Sequence, residues 1–159
     1  GWITKVAKAG RVFTGIKWAT GLAFIAAGVF FLFPAKGETG PRITWEKATA
    51  SAIEQAKSAG KPVIVDFTAD WCLPCKELEN FTFPDKDVVE LSKSFVMLKA
   101  DVTTGGSPEV ESLKKKFNVA GVPTIVFLDK SGVERVELRV VGFVEAPVFL
   151  GKMKGARGG

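Results

Sequence analysis

Two cysteines stand three positions apart in TADWCLPCKELE, residues 68–79, and the 159-residue chain has no other cysteine and no histidine. Cys72 and Cys75 so spaced can form half of a metal site, a structural staple or a reactive dithiol. A structural zinc site takes four ligands, chiefly cysteine and histidine, and no other residue of either kind exists to complete one, so no metal is expected. A disulfide across two intervening residues closes so small a loop that it removes little entropy from the unfolded chain, which weakens the staple. The dithiol is favoured by its position. An apolar run, Val63 to Phe67, gives way just there to a helical stretch, and the unpaired N–H groups and dipole of a helix start stabilise an anion such as the thiolate of Cys72. Three residues on, the second sulfur returns to the same helix face, close enough for a disulfide. No cofactor is expected.

Elements on either side must hold this pair in place. Thr44 is a candidate cap for a helix through Trp45, Ala48, Ala52, Ile53 and Ala56, stopped by Gly60 and Pro62. Val63 to Phe67 reads as a strand covered on both faces. Thr68 to Trp71 form a turn into a helix that starts at Cys72 and stops near Pro84. Asp85 to Ser94 has helical periodicity, Phe95 to Val102 reads as a strand, and Ser107 to Phe117 as a helix begun beside Pro108. Pro123 to Leu128 is predicted as a strand, turned at Asp129 to Gly132 into another at about Arg135 to Val141. A last helix starts near Glu145, and GARGG at 155–159 is expected to be a disordered tail. Strands alternating with helices, closed by a hairpin, imply an α/β domain with a mixed central sheet flanked by helices.

Charge divides the chain unevenly. Of 22 basic residues, Lys5, Lys8, Arg11, Lys17 and Lys36 lie in residues 1–36, which hold no acid, so the rest balances 17 basic against 17 acidic residues. A nucleic-acid footprint needs basic residues clustered on the folded domain; the run Lys114 to Lys116 reads as a solvated helix face, and no nucleic acid is expected. From Val12 to Phe33 the chain is apolar except for Lys17 near one end, about the length that spans a bilayer as a helix. A buried core helix or a cleaved signal peptide are the alternatives, and for the latter small residues are poorly placed at Phe33, Pro34, Ala35 and Lys36. The basic residues before the span put the N-terminus in the cytoplasm and everything after Phe33 on the other side. The chain begins with Gly1 rather than Met, as the tail of a longer polypeptide does, and the span is then the last of several. The expected organisation is a basic flank and transmembrane helix at 1–36, a Gly- and Pro-rich linker at 37–43, the α/β domain at 44–154 and the tail at 155–159.

VDFTADWCLPCK, Val65 to Lys76, resembles the active-site segment of thioredoxin-fold proteins, and GVPT at 121–124 resembles their cis-proline loop. Together with LKADVTTGGSPEVESLKKKFNVAGVPTIVFLD, the longer FTADWCLPCKELENFTF is similar to the C-terminal periplasmic domain of the DsbD family of transmembrane thiol:disulfide interchange reductases, over about residues 45–150. This resemblance implies a thioredoxin-like fold behind one transmembrane helix. It implies that Cys72 is an exposed nucleophile and Cys75 a buried resolving thiol, with Asp66 the buried carboxylate behind the disulfide and Glu79 its partner one turn beyond Cys75. Two such acids can pass protons to and from the dithiol while opposing a second anion; the plainer readings are a solvated Glu79 and a satisfied buried Asp66. Pro123 would be cis and packed against the cysteines, Val122 would offer backbone groups to a partner, and Trp71 and Leu73 would be contact surface, with core packing the alternative for Trp71. Two departures stand out: residues 1–36 lack the membrane cysteines that feed electrons in that family, and the Leu73-Pro74 dipeptide is unusual.

The leading expectation is a reductase tethered to the inner membrane, its catalytic domain facing the periplasm. It would take electrons from a membrane-embedded donor domain and reduce disulfide-bearing periplasmic proteins. A reductant dedicated to cytochrome c maturation shares fold, tether and chemistry. An oxidase is a further rival, and a non-catalytic binding module with the same fold belongs to another class.

Overall fold

The structure, a computed structural model, describes residues 42–158. The expected membrane-spanning helix and most of the linker lie outside the described residues. Among those described, no helix is long and apolar enough to cross a membrane.

The strands are β1 (Glu46–Lys47), β2 (Val63–Thr68), β3 (Val96–Asp101), β4 (Thr124–Leu128) and β5 (Val140–Val141), and the helices are α1 (Ala50–Ser58), α2 (Leu73–Glu77), α3 (Lys86–Ser92), α4 (Pro108–Lys116) and α5 (Ala146–Arg157). They form one mixed sheet in the order β1-β3-β2-β4-β5. β3 runs parallel to β1 and β2, whereas β4 is antiparallel to β2 and to β5. The mixed sheet expected from the alternation of strands and helices is present.

Side chains alternate across a strand, and the core divides accordingly. Val63, Val65 and Phe67 of β2 pack with Val126 and Leu128 of β4, Ile53 and Ala56 of α1, and Val110 and Leu113 of α4. On the other face Ile64, Ile125 and Phe127 pack with Val88 and Val89 of α3 and Phe149 and Met153 of α5. Helices therefore cover both faces, and β2 is buried along its whole length.

Three boundaries differ from those expected. Thr49, not Thr44, caps the first helix, its hydroxyl accepting from the Ala52 N–H at 3.0 Å. The preceding residues pair instead with the sheet edge, Glu46 opposite Leu98, and the Ala48 N–H donates to the Lys99 carbonyl at 2.9 Å. The strand expected over Arg135 to Val141 is a short helical turn at Val136–Leu138 followed by two paired residues. Arg139 pulls that segment toward the end of α4: its guanidinium donates to Glu134 at 2.8 Å and to the Phe117 carbonyl at 2.6 Å. Lastly, the tail expected from Gly155 is helical through Arg157, and Ala156 is fully buried. Gly155 suits that helix because a Cβ there would come within 3.2 Å of Leu138.

Candidate active site

β2 delivers the chain from the middle of the sheet into the cysteine segment. The Cys72 N–H donates to the Ala69 carbonyl at 3.1 Å, and Cys72 then caps α2 with its own sulfur, which accepts from the Cys75 N–H at 3.3 Å. Other helices of the domain begin with the oxygen caps that helix starts ordinarily favour: Thr49, Asp85 and Ser107. At α2 a cysteine sulfur holds that position, with Pro74 in the first turn. Cys72 and Cys75 are joined as a disulfide, their Cα atoms 5.3 Å apart.

Cys72, expected to be exposed, is only 4% exposed, little more than Cys75 at 2%. Capping explains this, because the sulfur must turn inward to meet the Cys75 N–H. Surface is supplied by its neighbours: Trp71 is 68% and Leu73 72% exposed, so Trp71 is not a core residue. Val122 packs against the cluster that contains both cysteines. The Val122–Pro123 bond is cis, as the resemblance implied. Pro123 is buried, and its carbonyl accepts from the Gly142 N–H at 3.0 Å. Val122 precedes β4 and takes no part in sheet pairing.

Beyond Cys75 the helix widens. The Phe83 N–H bonds to the Leu78 carbonyl at 2.9 Å, a turn of the π type spanning Leu78–Thr82. Single π turns inside helices recur at functional sites. This one buries Leu78 and Thr82, leaves Phe81 70% exposed and carries Glu79 toward the sheet. There the Glu79 carboxylate meets two ammonium groups, Lys99 at 2.7 Å and Lys76 at 3.3 Å. Lys76 also lies 3.5 Å from Asp70, and Lys99 sits 5.4 Å from the Trp45 ring centre.

Asp66 is the other acid. In the β2–β3 register it stands opposite Lys99, on the face shared with Ile64. It is 2% exposed, and its Oδ1 has no hydrogen-bond partner among the described residues, so the reading of a satisfied buried group does not hold. Burial pushes its pKa up from 3.8 to about 7; the Lys99 charge opposes that rise and the Glu79 charge adds to it. For Glu79 partial burial also pushes upward, but the hydrogen bonds and charges of Lys99 and Lys76 outweigh it and hold the carboxyl below its usual range. Glu79 is thus a half-buried, doubly paired acid, not a freely solvated one.

Lys99 and Lys76 were not singled out by sequence. The available signal was a lysine interrupting the apolar run Val96 to Ala100; its meaning depends on the strand register. Among the described residues, no cluster of acids and cysteines is arranged to hold a metal.

The family described as Thioredoxin-like matches residues 44–130. A thiol:disulfide interchange protein DsbD of Yersinia pestis is 47% identical over 95 residues, 60% of this chain but 16% of the relative. The protein of the same name from Actinobacillus pleuropneumoniae is 43% identical over 111 residues, 68% of this chain and 19% of the relative. The chain therefore spans less than a fifth of the length of these relatives. Among solved structures, the DsbD C-terminal domain of Neisseria meningitidis in its oxidised form superposes with a TM-score of 0.58 at 28% identity, covering 72% of this chain and all of that one. A thioredoxin from Thermus thermophilus gives 0.59 at 27% identity, covering 72% of this chain and 86% of that one.

Proposed function

The chain belongs to the thioredoxin-like family, and we propose that it is a thiol:disulfide reductase in which Cys72 attacks and Cys75 resolves. The observation that carries this reading is the joined pair at a helix start, with the Cys72 sulfur already accepting the Cys75 N–H. In the reduced protein that N–H and the helix start favour the Cys72 thiolate. The thiolate attacks one sulfur of a partner disulfide; the bond between the partner's sulfurs breaks and its second sulfur leaves as a thiolate, which takes up a proton. Cys75, deprotonated, then attacks the Cys72 sulfur of the mixed disulfide, releasing the first partner sulfur and forming the Cys72–Cys75 bond. Two electrons pass to the partner, and a dithiol donor must return two to this chain. Asp66, with a pKa of about 7, can hold or release a proton near neutral pH.

Trp71, Leu73 and Val122 form the partner-contacting rim in this reading, with the buried Pro123 behind it, supported by the exposure of the first two and by the packing of Val122 against the cluster that contains both cysteines. The apolar stretch from Val12 to Phe33 with its basic flank supports an inner-membrane anchor, the domain that begins at residue 44 facing the periplasm behind the 37–43 linker. Its substrates would then be periplasmic disulfide proteins, and its electrons would come from a membrane-embedded donor domain. A dedicated place in cytochrome c maturation would use the same chemistry.

The test is capture. Cys75→Ser in the reduced full chain, offered a disulfide-bonded protein, should accumulate a thiol-sensitive adduct through Cys72, and Cys72→Ser should form none. Absence of an adduct with Cys75→Ser, or equal adducts with both variants, removes the assignment.

A further inference from the structure

We infer that Thr103, in the loop after β3, is a positioning residue for the exchange reaction, bracing the Asp70–Trp71 segment that leads into Cys72. This inference rests on the reductase reading above. Four hydrogen bonds meet at this one residue. Its hydroxyl accepts from the Asp70 N–H at 2.9 Å and donates to the Asp101 carboxylate. Its own N–H donates to the same Asp101 oxygen at 2.8 Å, and its carbonyl accepts from the Trp71 indole N–H at 3.2 Å.

The direction of each bond follows from the chemistry of the groups. An ionised carboxylate only accepts, and the bonds from Thr103 hold Asp101 below the usual carboxylate range. The hydroxyl proton is therefore committed to Asp101, which leaves the oxygen lone pairs facing the Asp70 N–H. Asp101 is the last residue of β3, paired with Thr68 of β2, and the Val102 N–H donates to the Thr68 carbonyl at 2.9 Å. The brace thus ties the residues just before Cys72 to the rigid end of two central strands.

Trp71 is the informative part. A ring 68% exposed gains little stability from one bond, because water would satisfy its N–H almost as well. What the bond changes is orientation. A large aromatic side chain beside the reactive sulfur, held in one pose before a partner arrives, loses less freedom on docking. The brace should act on recognition of protein partners and leave the sulfur chemistry alone.

Thr103→Val in the full chain keeps the shape and the backbone carbonyl that receives the Trp71 indole, but removes both hydroxyl bonds that hold that carbonyl in place; Thr103→Ser keeps them. Two substrates separate docking from chemistry: insulin, a disulfide-bonded protein, and a small aromatic disulfide with no surface to dock. For Thr103→Val we expect KM for insulin to rise about fivefold with kcat within about twofold, and the small disulfide to react at the wild-type rate. Solvent exchange of the Trp71 indole proton, assigned by its loss in Trp71→Phe, should quicken about fivefold, and Thr103→Ser should restore both readouts. Wild-type KM and indole exchange in Thr103→Val overturn the brace. So does an equal loss on both substrates that Ser does not restore, since that marks a structural role alone. Failure of the wild-type chain to reduce either substrate overturns the reductase reading instead, a result separate from either of these.

Discussion

Two acids on one side of the sheet face opposite fates. Asp66 comes from the middle of β2, a strand buried along its whole length, and one of its oxygens has no hydrogen-bond partner among the described residues. Glu79 comes from the π turn after α2 and has a cation on each oxygen. One residue links them: Lys99 bonds Glu79 directly and reaches Asp66 only through its charge. What separates the two is desolvation set against pairing. Where a carboxylate keeps its partners, partial burial is overcome and its proton affinity falls; where it has none, burial wins. The domain thereby holds one acid ionised and another poised near neutrality, close enough to influence each other.

Removing the titration of Asp66 should break the contrast most strongly. With a folded value near 7 against an ordinary 3.8, the folded state holds this proton more tightly than the unfolded chain does. Stability from this group is full below about pH 4, declines as pH rises to about 7 and is level above, the reverse of the usual acid profile. Asp66→Asn should flatten that decline in the oxidised protein, where the cysteines do not titrate. The variant's advantage at pH 8 over pH 4 should reach at most on the order of 4 kcal/mol, since one unit corresponds to about 1.4 kcal/mol. Denaturant melts at the two pH values measure it, and parallel profiles for variant and wild type would show that Asp66 is ionised throughout.

Lys99→Met comes next. It takes the nearest cation from both acids, so both pKa values should rise, Asp66 by about one unit. Carboxyl chemical shifts followed against pH should show both movements. A rise in Glu79 alone would mean that Lys99 does not reach Asp66. Stability at neutral pH should fall by about 1 kcal/mol, the ordinary net contribution of one such bond.

Much of this architecture was legible in the sequence, and the misses share a cause. Ser107–Pro108 announces α4 through a cap and a proline that suits a first turn, and Val63 to Phe67 announces β2 by its unbroken apolar run; both are local signals. Thr44 and Thr49 are equally good caps on local grounds. The choice fell to the β1–β3 pairing, which claims the backbone of residues 46–48. Cys72 was rightly placed at a helix start, but its burial follows from capping geometry that spacing does not convey. Lys99 is the clearest case. Within VMLKAD it reads as an ordinary interruption, and only register against β2 sets it opposite Asp66, some thirty residues earlier in the chain.

The smallest expected effects lie at the outer end of the charge network. Glu79→Gln removes a negative charge that raises the Asp66 pKa, and it frees Lys99 from its 2.7 Å bond. Both changes favour an ionised Asp66, so its titration should move down, by less than a unit given the solvent screening at Glu79. Lys76→Met tests the same idea from the other oxygen. Lys76 is half-buried and more open to solvent than Lys99, and it bonds the other Glu79 oxygen, so Glu79 should titrate somewhat higher while Asp66 stays where it was. A shift at Asp66 as large as that from Lys99→Met would show that the network conducts along its whole length. Its absence would confine the coupling to Asp66, Lys99 and Glu79, the three groups that β2, β3 and the π turn bring together.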